Sequence, residues 1–181
     1  MKRLLLCSLS ALLLFGCGPS LPPLKTVDRV DLPRFMGRWY VIACIPTFIE
    51  SEAYNGVETY TLLPDGTIDT VFTFRKGSFD GPPKRYNPRG FVVDTVNNST
   101  WGMQFIWPIK AEFLITHLTP DYSRTVIGRS KRDYVWIMAR TPQIDEHDYQ
   151  ALVEELKGQG YDTGTLRRVP QRWPEAAPER Q

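Results

Sequence analysis

The chain has 181 residues, with 22 Lys and Arg against 20 Asp and Glu and only 3 Cys. A net charge of +2 excludes the strong basic excess that nucleic-acid binders carry. A chain of this length is expected to fold around one core, burying roughly 70% of its unfolded surface.

The first element in chain order is a targeting signal. In "MKRLLLCSLSALLLFG", residues 1–16, Lys2 and Arg3 precede an apolar run from Leu4 to Phe15, and a small residue stands before Cys17. This is the pattern of a secretory signal peptide, too short to span a bilayer as a stable helix. "LFGC" resembles the lipobox of bacterial lipoproteins, whose cysteine becomes the lipid-modified first residue. Gly18 is not the aspartate that usually holds enteric lipoproteins in the inner membrane. The resemblance therefore implies lipidation at Cys17 and an anchor in the outer membrane, on its periplasmic face. An ordinary secreted protein is the alternative. Cleavage removes Lys2 and Arg3 from the 22 basic residues, leaving 20 against 20 acids over 165 residues. It also leaves Cys44 with no partner for an internal disulfide.

After a Pro-rich tether (residues 17–30 with the lipidated cysteine), strand follows strand. "WYVIACI", "VETYTLL", "TIDTVFTFR", "RGFVVDTV", "WGMQFIW", "EFLITHL", "RTVIGRS" and "DYVWIMAR" are short and rich in β-branched and aromatic residues. "PDGT", "NNST" and "PDYS" supply turns between them. One helix comes next. Asp145 caps it, Tyr149, Leu152, Val153 and Leu156 form one apolar stripe, and Gly158 and Gly160 end it. A short strand is expected at 164–169 and a flexible tail at 171–181. The fold class is all-β: an eight-stranded antiparallel up-and-down barrel over 31–170, with the helix packed outside and one short extra strand.

Three segments carry a family resemblance. "GRWY" at 37–40 is similar to the Gly-x-Trp motif that opens the first strand of lipocalins, and "DYVWIMARTP" at 133–142 resembles their last barrel strand. "TYTLLPDGTI" at 59–68 resembles the second hairpin of the bacterial, plant and apolipoprotein D-like branch. The third family motif is matched only by Asp121 and Tyr122. Physically, Trp39 plugs one end of a barrel one side chain wide. Arg140, adjacent once the barrel closes, lays its guanidinium on the indole, a contact contributing roughly 0.5–2 kcal/mol. Gly37 lets the backbone bend beneath the ring. These three are structural residues.

Alternation then assigns the lining. Val41 and Ala43 follow Trp39 inward and Cys44 points outward, where an exposed thiol would support a homodimer. Tyr134, Trp136 and Met138 face in, while Val135, Ile137 and Ala139 face the helix. With the register guided by the resemblance, Tyr60, Leu62, Phe72, Phe74, Phe91, Val93, Met103, Phe105, Phe113, Ile115 and His117 complete the inner face. Glu58 shares the parity of Tyr60, where the family usually has a small residue. It lies near the rim, bonds a ligand, or marks a slipped register. Around the open mouth Lys76, Lys84, Arg85, Arg89, Lys110, Arg129, Lys131 and Arg132 outnumber Glu50, Glu52, Asp80, Glu112 and Asp133. Lys84, Arg85, Arg89, Lys131 and Arg132 are the candidates to receive an anionic head group.

Two histidines, His117 and His147, are too few for a His-rich metal site, and no cysteine pair has zinc spacing. No Gly-x-Ser-x-Gly elbow is present, and "GQGYDTG" follows a helix rather than a strand. Neither a cofactor nor a metal is expected. The resemblance implies binding of a fatty acid such as palmitate, a lysophospholipid or a similar amphiphile, in lipid transport or envelope maintenance under stress. The alternatives are an enzyme of this fold using Glu58 or His117, and a filled barrel acting as an interaction module.

Overall fold

The structure is a computed structural model that describes residues 21–174. Residues 1–20 and 175–181, with the signal peptide, Cys17 and the end of the tail, lie outside the described residues.

A short helix α1 (Leu32–Phe35), capped by Asp31, leads into strands β1 (Gly37–Ile45), β2 (Ala53–Leu62) and β3 (Thr67–Lys76). Next come β4 (Pro83–Tyr86) and β5 (Arg89–Val92), β6 (Thr100–Ile106), β7 (Ile109–Leu118), β8 (Arg124–Gly128) and β9 (Val135–Ala139). Helix α2 (Glu146–Gly158) and β10 (Arg167–Arg168) complete the order. Every pairing is antiparallel, the barrel strands follow one another in chain order, and β9 returns to pair with β1. Both β4 and β5 pair with β3, so together they are the fourth strand of a closed eight-stranded barrel. The fourth strand thus starts earlier than "RGFVVDTV" implies. Its interruption falls at Pro88, which has no N–H for the ladder. Asn87 bridges the gap through Nδ2, donating to the Thr70 carbonyl at 2.7 Å. β10 lies outside the closed circuit, paired with Ala43 and Cys44 of β1.

The outer wall of β1, β8 and β9 is apolar because α2 covers it. Ile42, Ala43, Val126, Val135, Ile137 and Ala139 bury the helix stripe of Tyr149, Leu152 and Leu156. The end where β1 begins is filled with rings. Trp39, Phe35, Tyr60 and Trp101 are all fully buried, with Phe35 centred 5.0 Å from Trp39 and 5.3 Å from Trp101. Trp101 stacks on Phe113 at 5.0 Å. Aromatic pairs at such separations contribute about 0.5–1.5 kcal/mol beyond their buried area. The plug is therefore a cluster, with Trp39 at its centre and α1 as its lid.

Arg140 locks that lid. Its guanidinium carbon lies 3.8 Å from the centre of the Trp39 ring. Its nitrogens donate to the carbonyls of Arg38 at 2.7 Å, Arg34 at 2.9 Å, Phe35 at 3.0 Å and Tyr122 at 3.3 Å. Gly37 has φ +92, a conformation side chains rarely adopt, and Arg140 occupies the space beside it. Tyr122 of the partial third motif takes the Asp31 N–H on its hydroxyl at 2.8 Å.

Both segments expected to be loose are held where they are described. Val27 and Val30 bond the backbone of Ile115 and Asn97, and Val30 is buried. At the other end Gln171 donates to the carbonyls of Val41 and Gly56, and Trp173 packs on Tyr40 at 5.4 Å. Residues 21–30 and 171–174 thus make backbone and side-chain contacts with the barrel. Their polar, Pro-rich composition conceals backbone groups that pair with the barrel.

Candidate ligand-binding site

The rings fill one end of the barrel, so the space that remains lies at the other. A cavity of about 320 Å³ opens there, at the low end of the range typical of small-molecule sites. Of the predicted lining, Phe72, Met103, Phe105, Phe113, Tyr134, Trp136 and Met138 border it. Tyr60, Phe74 and Ile115 are buried in the surrounding core and do not reach it. Thr70 and Ile127 were missed, although Thr70 shares the parity of Phe72 and Phe74.

Bulges overturn three assignments. β1 gains a residue against β9 between Val41 and Ala43, so Val41 faces in, Ala43 faces α2, and Cys44 turns into the core. The thiol is fully buried, and burial, assisted by Glu50, pushes its pKa up to about 12. A disulfide homodimer through Cys44 is thereby excluded from the native fold. Native protein should leave Cys44 unalkylated by iodoacetamide, while denaturant exposes it to modification, which mass mapping of Cys44 would resolve. Rapid native labelling would contradict the inward orientation.

A second bulge between Ile115 and His117 turns His117 out of the barrel. Its Nδ1 meets Glu155 of α2 at 2.8 Å, a wall-to-helix contact. Of the two candidate acid–base groups, only Glu58 borders the cavity. On β5 the inward residues are Gly90 and Val92, so Phe91 and Val93 face outward. Lys110 covers the Phe91 ring at 3.6 Å. Leu62 sits exposed at the plugged end.

The cavity is apolar with a few polar groups. Glu58 is enclosed and takes a hydrogen bond from the Tyr60 hydroxyl. Burial pushes its pKa up to about 7 against the pull of that bond, and Glu50 adds to the rise. Glu50 comes from the loop after β1, is buried, and accepts from the Trp136 indole at 2.9 Å. Sequence periodicity does not reach it, because it lies in a loop. Glu112 is held by Ser130, whose backbone N–H approaches to 2.6 Å.

The rim is less basic than its sequence suggests. Arg132 is 9% exposed at φ +55, donating through Nε to the Gln159 carbonyl at 3.1 Å and through its terminal nitrogens to Ser130 and Pro22. It clasps the β8–β9 loop to the end of α2 and is closed to a head group. Arg89 lies on the outer wall toward the plugged end, with its guanidinium 3.0 Å from the Thr67 hydroxyl and 4.0 Å from Asp69. Lys84, Arg85 and Lys131 remain exposed. Arg129 borders the cavity, is 3.2 Å from Asp133, and lies over the Tyr134 ring at 5.1 Å. Beside these charges Phe48, Ile106, Trp107 and Ile109 stand exposed at the same mouth.

A closed eight-stranded antiparallel barrel with a ring-plugged end, a helix on its wall and an apolar cavity at its mouth defines a lipocalin. The chain belongs to that family: residues 30–171 match the family model described as Lipocalin-like domain. It is 32% identical to Temperature-induced lipocalin-1 of Arabidopsis thaliana over 162 residues, covering 82% of this chain and 83% of that one. It is 24% identical over 174 residues to the Outer membrane lipoprotein Blc of Escherichia coli K12, covering 90% and 92%. Among solved structures it is similar to insecticyanin from the tobacco hornworm Manduca sexta, with a TM-score of 0.66 at 14% identity, covering 85% and 87%. That last likeness concerns the fold alone. Lipocalins generally bind small hydrophobic ligands and serve as binding and transport proteins.

Proposed function

We propose that this lipocalin is a lipid-anchored protein of the bacterial outer membrane. It carries a fatty acid or lysophospholipid in lipid transport or envelope maintenance under stress. The observation that carries the reading is the apolar cavity opening beside the exposed side chains of Phe48, Ile106, Trp107 and Ile109. A tryptophan among aliphatic tips, flanked by Lys110 and Lys131, suits contact with a lipid surface from which an acyl chain enters directly. Each methylene buried contributes about 0.8 kcal/mol, offset by ordering of the chain, so micromolar or tighter affinity is expected. The lipobox-like "LFGC" and the likeness to Blc support the anchor at Cys17.

The test is a titration of residues 18–181 with fatty acids and lysophospholipids, followed by tryptophan fluorescence. Trp136 borders the cavity and reports occupancy, while Trp39, Trp101, Trp107 and Trp173 supply background. Saturation is the expected outcome. No saturation, with no lipid found by native mass spectrometry, would overturn the carrier reading.

Lys84, Arg85, Lys131 and Arg129 are among the cations that remain to meet an anionic head at the mouth. In Lys84→Glu/Lys131→Glu, affinity for an anionic lysophospholipid should fall several-fold and its salt dependence should flatten. Unchanged affinity and slope would remove the head-group role.

A further inference from the structure

The inner end of the cavity is polar in one place. Glu58 has one carboxylate oxygen engaged by the Tyr60 hydroxyl. Thr70, 1% exposed, also lines the cavity, and its Oγ1 has no hydrogen-bond partner among the described residues. The pairing of β2 with β3 brings them together. Tyr60 stands opposite Thr70 and Glu58 opposite Phe72, which makes Glu58 and Thr70 diagonal neighbours on the inner face. A carboxylate accepts several hydrogen bonds, and a threonine hydroxyl both donates and accepts. Phe72, Met103, Phe113 and Met138 around them offer neither. A plain methyl end seated here would shield both groups and replace none of their hydrogen bonds, a cost larger than the gain from an ordinary one.

We propose that Glu58 and Thr70 form a hydrogen-bonding subsite for a hydroxyl at the buried end of the ligand. The ligand hydroxyl donates to the remaining oxygen of Glu58 and accepts from the Thr70 hydroxyl. This rests on the reading of the barrel as a lipid carrier and narrows its cargo. The chemistry belongs to an acyl chain hydroxylated at its far end, or to a long-chain alcohol entering hydroxyl first.

Calorimetry on the full chain with dodecanoate and 12-hydroxydodecanoate tests it, since the two differ only at the buried end. In a wholly apolar cavity the added hydroxyl would weaken binding by about tenfold or more. Here the hydroxy acid should bind at least as tightly as the plain acid. In Glu58→Leu/Thr70→Val it should fall at least tenfold behind, while Glu58→Gln, which keeps an acceptor, retains the wild-type order. Dodecanol separates the two sources: sensitivity to the double substitution assigns an alcohol entering hydroxyl first, and insensitivity assigns the far-end hydroxyl. A wild-type protein that binds dodecanoate tenfold more tightly than its hydroxy form overturns the subsite and leaves the carrier reading standing. Binding of none of the probes overturns both. The wild-type comparison decides the question even where a variant fails to fold.

Discussion

Trp39→Ala is expected to destabilise the protein by about 4 kcal/mol, within the range measured for large aromatic truncations in cores. In a domain of this size that lowers the melting temperature by roughly 10 °C. The loss has several sources. The indole is fully buried, packs on Phe35, donates from Nε1 to the Phe35 carbonyl at 2.8 Å, and carries the Arg140 guanidinium on its face. Trp39→Phe keeps the ring face and forfeits the indole hydrogen bond, so it should cost about 1–2 kcal/mol. Denaturant melts followed by circular dichroism would measure both. A Trp39→Ala variant within about 1 kcal/mol of wild type would show that α1 and Trp101 close the barrel unaided.

The second large effect is a pH dependence written by Glu58. Its pKa in the fold, about 7, stands above the model-peptide value of 4.5 because burial disfavours the carboxylate. The unfolded chain therefore releases this proton more readily than the folded one. The stability associated with the protonated group is fully present below pH 4.5 and is lost as pH rises through about 7. The full effect amounts to about 3 kcal/mol at 1.36 kcal/mol per unit. Glu58→Gln removes the charge and keeps an acceptor for Tyr60. It should match wild type near pH 4 and exceed it by up to about 3 kcal/mol at pH 8. Parallel stability curves for the two proteins across this range would rule out a buried, neutralised Glu58.

Much of this architecture is visible in one dimension. Tyr149, Leu152 and Leu156 announce a one-faced helix, and the wall of β9 that receives them is apolar on alternate positions. Trp39 and Arg140 are about a hundred residues apart, yet their types and their places at the ends of the first and last strands suffice to pair them. Trp136 and Met138 follow from Arg140 by parity alone. The errors on β1 and β7 have one cause. Bulges beside Ala43 and His117 insert a residue in one strand without any local marker, and every side chain beyond the insertion changes face. Phe91 fails without a bulge: β4 and β5 keep a single register on β3 across Pro88, and that register turns Gly90 and Val92 inward.

Charge was harder to read than hydrophobicity. Arg129 and Arg132 are three residues apart in one loop, but the first borders the cavity and the second is bound to backbone carbonyls under the end of α2. Glu50 belongs to the site for a reason no period expresses, being folded in by a loop, whereas Thr70 has the inward parity of Phe72 and Phe74 and is concealed only by its polarity. Strand identity, helix phase and the plug were settled locally, because side-chain alternation and helical spacing are properties of each segment's own backbone. Which face meets the cavity, and which charge meets solvent, was settled by the closed barrel, because register and desolvation exist only between segments.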